Sequence, residues 1–196
     1  MELFPAIDLR DGKAVRLVQG DYNQMTVFSD RPEEVALGFK EQGAKNLHVV
    51  DLDGAKDAAL ANFDTIEKLI KTTGLFVEVG GGIRTVDDFR EILRAGADKI
   101  SINSSAVKNP DLVNAAAEKY GSQCVVVAID ARANAEMPSG FEVYVAGGRT
   151  PTGKDAVAWA KEVYERGAGE ILLTSMDKDG TKSGFDLKLT KAVVEV

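Results

Sequence analysis

Two aspartates stand in nearly identical words, Ala6-Ile-Asp-Leu-Arg10 and Ala128-Ile-Asp-Ala-Arg132. Each word closes a short apolar run, which places Asp8 and Asp130 where expected strands end. Two carboxylates in unlike environments can divide proton transfer, one kept protonated as the acid and one ionised as the base. A lone Asp after a strand more often caps a turn. The matching of the two words is what favours chemistry over capping.

A second set of residues has the donors that a phosphate needs. Val77-Glu-Val-Gly-Gly-Gly-Ile-Arg-Thr-Val-Asp-Asp88 passes from an apolar run through three glycines into a helical pattern. Gly81 and Gly82 let backbone amides approach a ligand closely, and Arg84 adds a guanidinium. Thr85 and Asp88 have the spacing of a capping pair, and an anion suits the helix start that follows. Asn103, Ser104 and Ser105 follow another expected strand, and Asp179-Gly180-Thr181 a third. Ordinary turn chemistry is the alternative for the serines. Gly148-Arg-Thr-Pro-Thr-Gly-Lys-Asp155 nearly spells a nucleotide-binding loop, but Asp155 stands where a magnesium-holding Ser or Thr belongs. Gly80-Gly-Gly-Ile-Arg-Thr85 lacks the third glycine of a dinucleotide fingerprint. His48 sits mid-strand and reads as a hydrogen-bonded wall residue. With one His and one Cys, no metal site or cofactor is expected.

The elements that must position these groups alternate regularly. Strands are predicted near 3–7, 46–51, 75–79, 98–103, 124–129 and 170–174, and helices near 32–42, 63–72, 86–95, 110–120, 155–166 and 187–196. Asn109 reads as the cap of the fourth of these helices, with Pro110 at its first position. Such βα alternation means a parallel sheet, open or closed into a barrel. The repeat decides for a barrel. Val50-Asp-Leu-Asp-Gly-Ala-Lys56 matches Met176-Asp-Lys-Asp-Gly-Thr-Lys182, so both pairs of words are offset by roughly 120–130 residues. That is a (βα)8 TIM-type barrel built by duplication, with residues 1–120 as the first half and 121–196 as part of the second. The counterpart of Gly80-Gly81-Gly82 falls beyond Val196, so the expectation is one incomplete barrel domain of six βα units, lacking strands seven and eight. Its open edges are expected to self-associate. Strand ends at the barrel mouth then offer Asp8, Asp51, Asn103, Asp130 and Thr174. Alternation turns Cys124, Val126 and Ala128 inward with Asp130, and puts Lys99 and Glu170 inside near the floor as an ion pair. Trp159 and Tyr164 read as packing.

The chain has 196 residues, 44% hydrophobic and 28% charged, with net charge −7. That balance argues against nucleic acid as a partner and means that an anionic substrate needs local donors. The lone Cys124 rules out an intrachain disulfide and suits a reducing cytoplasm. No run approaches the roughly 20 apolar residues of a membrane span, and Met1–Asp8 does not read as a signal peptide.

Phe4-Pro-Ala-Ile-Asp-Leu-Arg-Asp-Gly-Lys13, Leu47-His-Val-Val-Asp-Leu-Asp-Gly-Ala55 and Gly80-Gly-Gly-Ile-Arg84 closely resemble the ProFAR isomerases of histidine biosynthesis. From about residue 90, Gly96-Ala-Asp-Lys-Ile-Ser-Ile-Asn-Ser-Ser-Ala-Val107, Gly121–Asp130 and Gly167–Thr181 resemble the cyclase subunit of imidazole glycerol phosphate synthase. These sister barrels act on successive steps. The resemblance implies an Amadori-type aldose–ketose isomerase acting on a small phosphorylated ribotide, or alternatively the cyclase, a carbon–nitrogen lyase. An inactive fragment or hybrid serving in assembly is a third reading. By position, Asp8 and Asp130 fall on the acid/base pair and Thr174 on an active-site threonine. Gly82, Asn103, Ser104, Asp179 and Gly180 fall around phosphate positions. Arg16 matches the isomerases, where the cyclase has lysine. Glu2 and Asn46 replace the arginine and glutamate of the cyclase's ammonia gate, which speaks against a glutaminase partner.

Overall fold

Apolar Ile7 and Leu9 alternate with Ala6 and Asp8, which makes Ala6–Arg10 a strand, β1, with Ile7 and Leu9 buried. It begins at Ala6 rather than Leu3. Pro5 has no N–H for the ladder and contributes its carbonyl, which accepts from His48 N–H at 2.9 Å. Asp8 therefore stands inside the strand, not at its end. The computed structural model describes residues 2–18, 21–57 and 61–196, with backbone alone at 18, 21–24 and 55–57. The chain divides into two compact units, Met1–Ser101 and Ile102–Val196. This division precedes the 120/121 boundary suggested by the repeat.

In the first unit β1 is followed by β2 (Lys13–Val18), β3 (Asp21–Ser29), α1 (Pro32–Glu41), β4 (Asn46–Asp51), α2 (Leu52–Asp57), α3 (Phe63–Thr73), β5 (Phe76–Gly80), α4 (Val86–Arg94) and β6 (Lys99–Ile102), whose last residue belongs to the second unit. The strand order is β3-β2-β1-β4-β5-β6, parallel from β1 through β6 and antiparallel at the β1–β2–β3 excursion. The sequence patterns did not reveal that excursion. Its turn is Asp11-Gly12, both at positive φ (48° and 72°), the conformation that an Asp-Gly hairpin turn supplies. Ile66, Leu69 and Ile70 of α3 and Phe89 and Ile92 of α4 are buried, as helical spacing requires.

The Thr85–Asp88 pair forms the expected capping box. Asp88 N–H donates to Thr85 Oγ1 at 3.1 Å, and Thr85 N–H to Asp88 Oδ2 at 2.9 Å. Thr85→Ala is expected to destabilise the protein by about 0.5–2 kcal/mol, read from the midpoint of denaturant unfolding.

The second unit contains α5 (Ser104–Lys108), α6 (Asp111–Tyr120), a 3-10 turn at Ser122–Cys124, β7 (Val125–Ala133), β8 (Phe141–Val145), β9 (Thr150–Asp155), α7 (Ala156–Glu165), β10 (Glu170–Ser175) and α8 (Leu187–Val194). Pro110 occupies the cap position of α6, one residue earlier in the helix frame than expected, and Asn109 instead ends α5. β7 pairs in parallel with β10 and antiparallel with β8, and β8 pairs with β9. Ile129 and Ala131 are buried while Ala128 and Asp130 are half-buried, but Val125, Val126 and Val127 are all buried, so the predicted alternation shows only in the later part of β7. Cys124 lies in the turn before β7, so that alternation does not extend to it. Glu170 is exposed rather than buried. Among the described residues β10 pairs with β7 alone, and Leu172 at its centre is 37% exposed. Trp159 is buried under α7 as expected, whereas Tyr164 is exposed.

Gly148–Lys154 forms no nucleotide loop. Thr150–Lys154 is the return strand of a hairpin, and Asp155 caps α7 by accepting from Val157 and Ala158 N–H.

Candidate active site

Asp130 anchors the site in the second unit. Near the end of β7 it stands in register with Thr174 of β10. Asn103, between β6 and α5, donates its Nδ2–H to Asp130 Oδ2 at 2.9 Å, and the Thr174 hydroxyl also donates to this carboxylate. Burial pushes the Asp130 carboxyl above the usual carboxylate range. The hydrogen bonds from Thr174 and Asn103 hold back part of that rise, and the nearby charge of Asp179 adds to it. Asn103 Oδ1 is buried without a hydrogen-bond partner among the described residues. An acceptor left open beside the Asp130 carboxyl suits a ligand hydroxyl or N–H. The structure thus brings together Asp130, Asn103, Thr174 and Asp179.

The loop after β10 is tied together by its own backbone. Lys178 and Asp179 N–H both donate to Ser175 O, at 3.1 and 2.8 Å, and Gly180 sits at φ 70°. A cleft of about 380 Å³ runs beside Thr174, Asp179 and Gly180, and Lys178 and Lys182 also line it. Those two lysines escaped the sequence reading, which weighed glycines and hydroxyls. Their flanking of Asp179-Gly180 was visible in the chain, and Asp179 and Asp186 line the same cleft, so its charges are balanced. Asp186, the cap of α8, accepts from the Ser175 hydroxyl at 2.9 Å and fixes the far side of this loop. Ser104 Oγ accepts from Ala146 N–H at 3.0 Å, so the tip of the β8–β9 hairpin rests on it.

In the first unit Asp8 is half-buried and pairs in register with Val15 of β2 and Val50 of β4. Arg16 follows Val15 on β2, so alternation turns it to the other face from Asp8, and it is exposed. Gly81 and Gly82 have φ of 92° and 76°. Arg84 donates to the carbonyls of Gly82 and Gly54 at 3.2 and 3.3 Å, which bridges the glycine turn to α2. The start of α4 is largely satisfied from within. Asp88 accepts from Thr85 N–H, as the capping pair predicts, and from Arg84 N–H as well. Asp51, expected at the mouth, is buried and accepts from Gly54 N–H and from both the backbone and side-chain amide of Asn62. It organises a loop. His48 is the expected wall residue, with Nδ1 3.1 Å from Glu78 Oε1 on the neighbouring strand.

Among the described residues no group of three or more His, Cys, Asp or Glu is placed to hold a metal ion, and no helix is long and apolar enough to cross a membrane. The profile described as "Histidine biosynthesis protein" matches residues 2–196. The chain belongs to the histidine biosynthesis protein family of barrel enzymes.

Proposed function

We propose that the chain is an aldose–ketose isomerase of the ProFAR type, acting on a phosphorylated aminoimidazole carboxamide ribotide. The observation that carries this reading is Asp130, a half-buried carboxyl held by Asn103 and Thr174, whose pKa desolvation raises. Such a group suits the general acid that protonates the ribose ring oxygen as the ring opens. Asp8, its counterpart in the repeat, takes the role of base and removes the C2′ proton. The enolamine then collapses to the ketose. In that last step C1′ takes up a proton as the 2′-hydroxyl gives one up, so two protons enter and two leave overall and no cofactor is required. The Lys178 and Lys182 side chains are the donors for a phosphate in the cleft after β10.

Two features favour isomerase over cyclase. Arg16 keeps the isomerase-like residue, and Asn46 gives its side-chain amide to Leu3 O at 3.3 Å, which fits a structural part better than a channel gate. The cyclase-like words from Gly96 onward favour the second reading, a carbon–nitrogen lyase, and leave room for a hybrid of the two. Two assays separate these. The isomerase reading expects ribotide turnover without ammonia. Ammonia-dependent release of aminoimidazole carboxamide ribotide, with no isomerisation, would replace it with the cyclase.

A further inference from the structure

Asn62 directly precedes α3, where an asparagine ordinarily caps the helix with its own side chain. It does not do so here: no side-chain cap bond is made, although Ile66 N–H does donate to the Asn62 carbonyl at 2.9 Å. The side chain points the other way. Its Nδ2 donates to Asp51 Oδ1 at 2.7 Å and to Asp53 Oδ2 at 3.0 Å, and its Oδ1 accepts from Gly12 N–H at 2.8 Å. Its backbone N–H donates to Asp51 Oδ2 at 3.0 Å. Asp53 Oδ2 also accepts from Asp11 N–H at 2.6 Å. Both amides of the Asp11-Gly12 turn are thus taken by this cluster. Asn62 is 5% exposed, and it has given up the usual cap bond for contacts 9 to 50 residues away along the chain.

The Asp11-Gly12 turn joins β1 to β2, and the β1–β2 ladder runs from Arg10↔Lys13 back to Asp8↔Val15. Fixing the turn fixes the direction in which β1 leaves the sheet, and with it the backbone of Asp8. Only an amide side chain serves here, because two acceptors on Asp51 and Asp53 and one donor on Gly12 must be met together. We propose that Asn62 is a positioning residue: it ties the β1–β2 turn to the end of β4 and so sets the attitude of Asp8. The catalytic part of this rests on reading Asp8 as the base.

Asn62→Ala tests it with two readouts. Amide exchange at Asp11, Gly12 and Gly54 is expected to speed about tenfold or more, as their shared acceptors lose order, while Val77 and Val79 in the core of β5 stay protected. In ribotide turnover, kcat is expected to fall between about tenfold and a hundredfold with KM within about threefold, the mark of a displaced reacting group. Asn62→Asp keeps the shape but sets a third carboxylate against Asp51 and Asp53. It is expected to loosen the same amides at neutral pH. If Asn62→Ala does not fold, Asp53→Ala removes one acceptor alone and should loosen Asp11 and Gly12 to a lesser degree. Unchanged exchange at Asp11 and Gly12, or faster exchange with kcat untouched, would overturn the proposal. Absence of ribotide turnover in the unmutated chain would count against the isomerase reading, and the exchange experiment would still decide the tether.

Discussion

Asp130→Asn is expected to lower turnover by roughly 10²–10⁴-fold, the range for loss of a general acid, and at the same time to make the folded protein more stable at neutral pH. The second effect follows from linkage. Burial raises the Asp130 pKa in the folded state, so folding favours its protonated form. Below the ordinary carboxylate pKa, folded and unfolded chains both carry the proton, and no penalty arises. As pH rises through the raised value, the folded chain must either keep the proton or bury a charge. Above that value the full penalty is present. Asparagine removes it and keeps an acceptor for Asn103 and a partner for Thr174. The gain in melting temperature should therefore appear at neutral pH and vanish in acid. Paired melting curves and rate measurements across pH check both effects. An Asn variant that is less stable at neutral pH would contradict the electrostatic reading of this site.

The next largest effect is expected at Gly81. Its φ is 92°, and a Cβ there would lie 2.8 Å from the carbonyl carbon and 2.9 Å from the nitrogen of Asp51. Those are backbone atoms at the end of β4 and cannot swing aside. Gly81→Ala carries backbone strain of about 1–3 kcal/mol and must also push the Asp51 loop away from Asn62 and Gly54. Gly43→Ala provides the comparison, with φ 96° and nothing within 4 Å of the added carbon. Gly81→Ala is expected to cost clearly more in denaturant unfolding than Gly43→Ala. Equal losses would show that the close approach of the glycine turn to β4 is not what requires glycine there.

Local signals were legible in the chain, and distant ones were not. Thr85 and Asp88 announced the start of α4 because both partners of a capping box lie within one helical turn. The βα alternation and the duplicated Asp words pointed to the barrel family because they are written as repeats. The β1–β2 hairpin was missed although Asp11-Gly12 is a hairpin turn, since β2 carries charges on both faces, with Lys13 on one and Arg16 on the other. Gly148–Asp155 looked like a phosphate loop because composition alone cannot separate a Gly-rich hairpin from a Gly-rich nest; the pairing of β9 with β8 decides it. Asn62 was invisible for another reason. It precedes a helix, where asparagine is commonplace, and its partner Gly12 lies 50 residues earlier. Arg84 likewise read as a phosphate donor, since nothing in the chain shows that its guanidinium reaches Gly54 O.

The central proposal is that the two repeated Ala-Ile-Asp words supply the acid and the base of one isomerisation, and the pH dependence of kcat/KM tests it most directly. The unmutated protein should give a bell-shaped profile. Its alkaline limb should report Asp130, displaced above the usual carboxylate range by burial, and its acid limb should report Asp8. Asp130→Asn should abolish the alkaline limb in the residual activity, and Asp8→Asn the acid limb. A profile with both limbs intact in either variant would contradict the assignment.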